Sequence, residues 1–527
     1  MEMEMEAAAV TAAAALCCAL ALYLYHELWV APERVRAALR AQGVAGPRPS
    51  FPYGNLADMR RAMTTAAAAA AAQSGGVVHD YRQALFPHYE RWRKEYGPIF
   101  TYSIGSMVFL HASRADVVRD LGLCVSSLDL GKSSYMKVTH RPLFGDGILK
   151  SSGEAWAHQR RLIAPEFFPD KVKGMVDLMV GSATALVAAW EDRISMIGGR
   201  GGGAELELKI DDDIRAYSAD VISRTCFGSS YVKGKRIFAV IRDLQKAVSK
   251  PNLLAEMTGL SFLPTRTNRE AWRLNRVVRD LVLDVVRESG DDDRNLVNAM
   301  LRSAAASGGG DRVAAAAVEE FVVDNCKNIY FAGYETTAVT AAWCMMLLAL
   351  HPEWQDLVRD EARQACAGAA PDFASLHKMK QLTMVIKETL RLYPAGAVVS
   401  RQTLRDVTLG GVRVPAGVNI YVPVSTVHLD QELWGADAGE FDPGRFADDA
   451  RAHHQRQPHA YLPFGAGART CLGQAFAMAE LKVLLALVLS RFQLTLSPAY
   501  VHSPALRLIV EPEHGVRLVL KNVEPSC

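Results

Sequence analysis

The decapeptide Phe464-Gly-Ala-Gly-Ala-Arg-Thr-Cys-Leu-Gly473 carries the densest chemistry in the chain. Gly465 and Gly467 permit a tight backbone turn that other residues resist. Cys471 stands at the predicted start of an apolar helix, Gln474–Phe492, where the helix dipole and free N–H groups favour a thiolate. Arg469 puts a cation beside that anion or whatever it binds, and Gly473 lets the helix start approach a flat partner. A thiolate held in this way is a good soft ligand for a metal. The plain alternative, an inert buried thiol, holds for most lone cysteines.

Two other motifs fail on their own terms. The run from Gly465 to Thr470 opens like a dinucleotide fingerprint, but its sixth position is threonine and Pro463 interrupts any preceding strand. Gly131-Lys132-Ser133 resembles the end of a phosphate loop, yet Ser126 stands where the first glycine is required.

Four further pieces have chemical interest. Glu388-Thr-Leu-Arg391 pairs opposite charges one helical turn apart, a contact usually worth only about 0.2–0.5 kcal/mol on a surface. Phe441-Asp-Pro-Gly-Arg445-Phe446 offers another arginine, Trp156-x-x-x-Arg160 an aromatic and a cation on one helix face, and Ala332-Gly-Tyr-Glu-Thr-Thr337 a glycine, an acid and hydroxyls in mid-helix. Each alone is weak.

These residues need long helices to position them. Apolar spacing of three and four predicts helices over Asp170–Arg193, Val313–Leu350 and Gln474–Phe492. Short β-branched runs predict strands near Ile99–Leu110, Val407–Val414 and Leu506–Leu520. Ala66–Ala72, Gly198–Gly203 and Ser303–Gly310 read as surface loops. The expected fold is mainly α with small peripheral β-sheets. There are 59 basic and 57 acidic residues, a balance that gives no electrostatic reason to expect nucleic acid as a partner. Nine cysteines in 527 residues are too few for a disulfide scaffold, and no Asn-x-Ser/Thr sequon occurs. A reducing, cytosol-facing location fits.

Ala7 to Tyr25 runs without a charge, about enough helix to cross a ~30 Å hydrocarbon core. Arg34, Arg36, Arg40 and Arg48 follow it while glutamates precede it, which keeps the following body in the cytosol. A cleaved signal peptide would want a positive start, and this one is acidic. Gly43 to Pro52 reads as a stiff connector. The expected organisation is a membrane anchor over 1–30, a basic and Pro/Gly-rich linker over 31–55, and one large domain over 56–527.

Taken together, Phe464-x-x-Gly467-x-Arg469-x-Cys471-x-Gly473 and the four preceding motifs resemble, in the same order, those of the haem-thiolate monooxygenases of the cytochrome P450 superfamily. The resemblance covers essentially the whole chain and implies the P450 fold behind a single N-terminal transmembrane helix. One departure is Gly444, where that family usually carries an acidic residue.

The resemblance implies roles residue by residue. Cys471 would be the axial thiolate of haem b, with Phe464 and Gly467 shaping its loop. Trp156, Arg160, Arg401 and Arg469 would bind the haem propionates. Glu388, Arg391 and Arg445 would form a buried structural network. Thr336 would deliver protons to dioxygen, with Glu335 as relay. NADPH would act through a partner NADPH–cytochrome P450 reductase, in the endoplasmic reticulum membrane with the catalytic domain facing the cytosol. Within the superfamily, GPRPSFPYGN and FAGYETTA resemble plant members of the 72 clan, nearest to the family that oxidises gibberellins. That implies a small apolar diterpenoid acid hydroxylated at C-13. Epoxidation at the 16,17 position and oxidation of another plant lipid or hormone are the alternatives. Tyr330, Phe331, Ala395–Val399 and Pro504–Leu506 are the expected lining. A peroxide-using isomerase and a non-catalytic haem sensor are the rivals, separated from a monooxygenase by its need for NADPH and a reductase.

Overall fold

The computed structural model describes residues 2–71, 76–198, 205–228, 231–248, 263–288, 296–307, 312–447 and 458–523. Two apolar helices form its centre. Arg312–Leu350 runs for 39 residues, and from Trp343 to Leu348 every side chain is fully buried. Gln474–Arg491 packs against it and is apolar nearly all round, as a helix enclosed by others should be. Asp211–Phe227 crosses the first of these, and Lys380–Leu392 lies between the two central helices and the segment Pro443–Phe446.

The strands lie at the margins. One sheet contains β1 (Ile99–Ile104), β2 (Met107–Ala112), β3 (Leu130–Gly131), β5 (Val398–Thr403) and β8 (Asn419–Pro423), in the order β1-β2-β8-β5-β3. Only β2 and β8 are parallel there, with Phe109 opposite Asn419. β4 (Glu205–Lys209), β9 (Phe492–Leu496) and β12 (Arg517–Asn522) form a second sheet, with β12 central. β6 (Val407–Leu409) pairs with β7 (Val412–Val414), and β10 (Pro504–Arg507) with β11 (Ile509–Pro512).

Several expectations change. The predicted helix Asp170–Arg193 is two helices, Pro169–Lys173 and Val176–Gly198, interrupted around Gly174. The strand predicted over Leu506–Leu520 is the β10/β11 hairpin followed by β12. Ala66–Ala71 continues the helix Leu56–Ala71, because alanine is the strongest helix former. Ser303–Ser307 likewise completes the helix Leu296–Ser307. Gly198 ends a helix, while 199–203 and 308–310 lie outside the described residues.

The residues expected to form the linker are placed as follows. Helix Glu2–Tyr25 passes through one π-helical turn, His26–Val30, directly into helix Ala31–Arg40. That last helix is docked on the body: Leu39 is fully buried, and the buried Arg36 donates to Ser103 Oγ at 3.0 Å. The Gly/Pro stretch beyond it lies along β1. Thr101 N–H donates to the Ala45 carbonyl at 2.9 Å, and Asn55 Oδ1 accepts from Ser103 N–H at 2.8 Å. Gly46 is obligatory here, since a Cβ would stand 1.9 Å from the Thr101 carbonyl oxygen. The apolar window of the first helix is long enough to cross a membrane, and none of it is buried against the body.

Candidate active site

Cys471 is fixed by its backbone. Its N–H donates to the Phe464 carbonyl at 2.9 Å, closing a loop in which Gly465 and Gly467 have φ of +78° and +69°. Thr470 N–H and Oγ1 both donate to the Gly467 carbonyl, at 3.0 and 2.7 Å. The loop is then tied to helix Gly153–Ile163, whose Arg160 donates to the Thr470 carbonyl at 3.0 Å. Cys471 counts as exposed although it lies deep in the molecule, because its surface faces an internal cavity. Burial pushes the thiol pKa up; a Gly473 N–H and the charge of Arg160 pull it back only in part. The helix start alone therefore does not secure the thiolate. A metal cation would.

The cavity holds about 390 Å³. The Cys471 loop forms one wall, with Phe464 and Gly465. Ala332, Gly333 and Thr336 of the long helix form another. Thr336 Oγ1 donates to the Ala332 carbonyl at 2.6 Å, as a threonine bonding back in mid-helix does. Gly333 is needed for helix packing, since a Cβ would meet Ile222 Cδ1 at 2.6 Å.

Four cations line the same cavity, Lys132, Arg160, Arg401 and Arg469, and among the described residues no carboxylate does. Burial, the largest cause in every case, lowers each pKa: Arg401 to about 10, Arg469 to about 9 and Lys132 to about 7, with Arg160 also shifted down. Arg469 reaches the Ser151 carbonyl at 2.8 Å, yet its buried Nε has no partner. Stripping water from this many cations without supplying an anion is costly. A flat group with a metal centre for the thiolate and carboxylates for the cations answers both needs, and haem has that donor demand. Among the described residues no cluster of His, Cys, Asp or Glu could hold a bare metal ion.

The predicted residues divide as follows. Cys471, Phe464, Trp156, Arg160, Arg401, Arg469 and Thr336 all meet at the cavity. Gly467 does not line it; that residue packs the loop against the Gly122 carbonyl, 3.0 Å from where its Cβ would stand. Glu335 does not line it either. Its carboxylate is buried behind the helix, 3.4 Å from Arg215 and 3.3 Å from Arg242. Glu388 and Arg391 are fully buried and joined by two bonds of 2.7 Å, and Arg445 stands 3.6 Å from the same carboxylate. Removing one member of such a cluster strands a charge, at about 3–5 kcal/mol. Gly444 leaves this network intact: its N–H donates to Asp442 Oδ1 at 2.9 Å while Asp442 N–H donates to Glu388 at 3.0 Å. Of the expected substrate lining, Ala395, Gly396, Val398 and Val399 face the cavity, whereas Tyr330 and Phe331 pack against Phe238 and Phe144. Pro504–Leu506 is absent from the lining.

Two residues were missed. Lys132 sits in the motif set aside as a false phosphate loop, and its signal was the lysine itself. Glu480 is the single acid in a mainly apolar helix, which is the available signal. It is fully buried, accepts from Ser218 Oγ at 2.7 Å, and burial pushes its pKa up to about 8.

Comparison with known proteins agrees with this geometry. The family model for cytochrome P450 matches residues 75–518. The chain is 71% identical to cytochrome P450 714B1 of Oryza sativa subsp. japonica, over 96% of this chain and 95% of that protein. It is 65% identical to cytochrome P450 714B3 of Zea mays, over 96% and 94%. Cytochrome P450 714A2 of Arabidopsis thaliana is 40% identical, over 94% of each.

Proposed function

The chain belongs to the cytochrome P450 family, whose members are haem-thiolate monooxygenases supplied with electrons from NADPH through a reductase, and from that premise we propose that it hydroxylates a gibberellin-like diterpenoid acid, at C-13. The observation that carries the reading is one cavity bounded by Cys471, by four carboxylate-free cations and by Thr336. When bound, haem would supply the activation of dioxygen, and a thiolate ligand would favour its reductive cleavage. The balance is one C–H bond, O₂, NADPH and a proton giving a C–OH bond, water and NADP⁺.

The chain's own residues have four tasks. Cys471 would hold the iron, and the Gly473 N–H directed at its sulfur tempers the thiolate charge. Arg160, Arg401, Arg469 and Lys132 would hold the carboxylates of the cofactor, the arginines through paired N–H donors. Thr336 donates its hydroxyl hydrogen bond to the Ala332 carbonyl, so the Oγ1 lone pairs are left to accept from a water that would carry protons into the cavity. Ile148, Leu149, Ile222, Val398 and Val399 exclude bulk water and present an apolar surface to the substrate. Glu335 serves as relay only if its carboxylate leaves Arg215 and Arg242.

The likeness of GPRPSFPYGN and FAGYETTA to the gibberellin-oxidising family supports the substrate class, and the apolar walls are consistent with it. The membrane is proposed to be that of the endoplasmic reticulum, crossed once, with the body on the cytosolic side; the basic residues after the apolar helix support this orientation. Tyr25, Trp29 and Phe51 form an aromatic cluster where that helix leaves the body, the chemistry of a membrane–water boundary. The test is co-expression with a plant NADPH–cytochrome P450 reductase, feeding of a gibberellin panel beside other apolar hormones and fatty acids, and product identification by mass spectrometry. A 13-hydroxylated gibberellin is expected. Oxidation of another class alone would replace the substrate, and no NADPH-dependent product from any would withdraw the reading.

A further inference from the structure

Three amide or acid side chains stand close together in the interior of the long helix: Asp324, Asn325 and Asn328. Such residues compete with the helix backbone and are poor helix formers, so three within five positions is a local conflict that needs a compensating gain. Their spacing places all three on one face, and that face meets the loop from Gly145 to Leu149.

The contacts are regular. Asp324 Oδ2 accepts from Asp146 N–H at 2.7 Å, Asn325 Oδ1 from Ile148 N–H at 2.9 Å, and Asn328 Oδ1 from Leu149 N–H at 2.9 Å. Asn328 Nδ2 returns a bond to the Phe144 carbonyl at 2.8 Å. The loop is shaped to allow this approach. Gly145 has φ +55°, and a Cβ there would stand 2.0 Å from the Asp324 carboxylate; at Gly147 a Cβ would stand 2.6 Å from Asn328 Nδ2. Asp324 is further held by Lys327 at 2.8 Å. Three backbone N–H groups of an irregular segment, those of Asp146, Ile148 and Leu149, are thus fixed by side chains of a rigid helix. The two residues so fixed at the end of the loop, Ile148 and Leu149, line the same cavity as Val398 and Val399.

We propose that Asp324, Asn325 and Asn328 are positioning residues that fix Ile148 and Leu149 as one wall of the substrate chamber and thereby set which carbon of the substrate is oxidised. The inference rests on the monooxygenase reading, and not on the gibberellin assignment. An apolar molecule has few polar handles, so the placement of its reacting carbon depends on the walls. A wall carried by a loop holds its position only if the loop backbone is tied down.

Asn325 makes the cleanest test, because it is fully buried and does not itself line the cavity. Asn325→Leu keeps the shape but removes the acceptor for Ile148 N–H, while Asn325→Asp keeps that acceptor. Haem content, read from the reduced carbon monoxide spectrum, and the ratio of product isomers are measured with whichever compound of the panel the wild type oxidises. The leucine variant is expected to retain haem and to change the isomer ratio by about three- to tenfold, or to add a second isomer where the wild type forms one. The aspartate variant is expected to restore the wild-type ratio. Gly147→Ala, which drives a methyl into Asn328, should shift the ratio as well, and serves if the leucine variant does not fold. An unchanged ratio in both folded variants would overturn the proposal. Amide hydrogen exchange on the wild-type holoenzyme gives an arm independent of any substrate. Ile148 and Leu149 are expected to be protected, and exchange at the rate of a free loop would overturn the proposal even if the panel yields no product. Oxidation of a non-gibberellin with a shifted ratio would refute the substrate class and leave this inference standing.

Discussion

The guanidinium of Arg469 lies 4.3 Å from the ring centroid of Trp156, and that of Arg160 lies 5.6 Å from the same ring. One indole therefore holds two like charges beside the cavity and offers both a π-face in place of water. Each such contact is worth about 0.5–2 kcal/mol. Trp156→Leu removes both while the helix Gly153–Ile163 keeps an apolar residue at that site. Loss of haem to a scavenging apoprotein is expected to accelerate by about five- to thirtyfold, with the folded chain retained. A wild-type rate of loss would show that the tryptophan does not position these cations.

Thr336→Ala keeps the helix, since alanine has the better helix propensity, and removes the oxygen that holds water at the cavity. Haem content should survive. Product formed per NADPH consumed is expected to fall and hydrogen peroxide to rise, and added peroxide should partly restore product. Unchanged coupling would mean that another group delivers protons, and the role of Thr336 would be withdrawn.

The motifs were readable because their chemistry is local. Cys471, Arg469 and Gly473 act within one loop and one helix start, and Thr336 bonds back to Ala332 one turn away. What sequence could not supply was long-range pairing. Glu335 looked like a relay beside Thr336, but one residue along a helix turns a side chain by about 100°, and its partners, Arg215 and Arg242, lie on other helices. Asn325 and Lys132 acquire meaning only from segments far away in sequence. Gly and Pro in a row signal a connector by composition, and composition does not show that Gly46 is required by close approach to Thr101. The alanine run has the composition of a low-complexity loop, and its helix propensity makes it the end of a helix.

Glu480 makes stability depend on pH in a definite direction. Its pKa rises from an ordinary value of 4.5 to about 8, chiefly through burial, so between those values the folded chain holds a proton that the unfolded chain has lost. Stability contributed at this site therefore falls as pH rises through that window and levels off above it. While the proton difference lasts, the slope is on the order of 1.4 kcal/mol per pH unit. Glu480→Gln keeps a neutral group beside Ser218 and has no proton to lose. Thermal unfolding of the holoenzyme from pH 5 to 8 is expected to show the variant gaining on the wild type as pH rises. Parallel curves would mean that Glu480 is already ionised in the fold.

The central claim is that Cys471 is the ligand around which the cavity is built, and the spectrum of the reduced carbon monoxide complex tests it most directly. The wild-type holoenzyme is expected to give the strongly red-shifted Soret band that requires a thiolate opposite the bound gas. Cys471→His should lose that band while Arg160, Arg401 and Arg469 still retain haem. Persistence of the red-shifted band in Cys471→His would place the ligand on another cysteine and contradict the account.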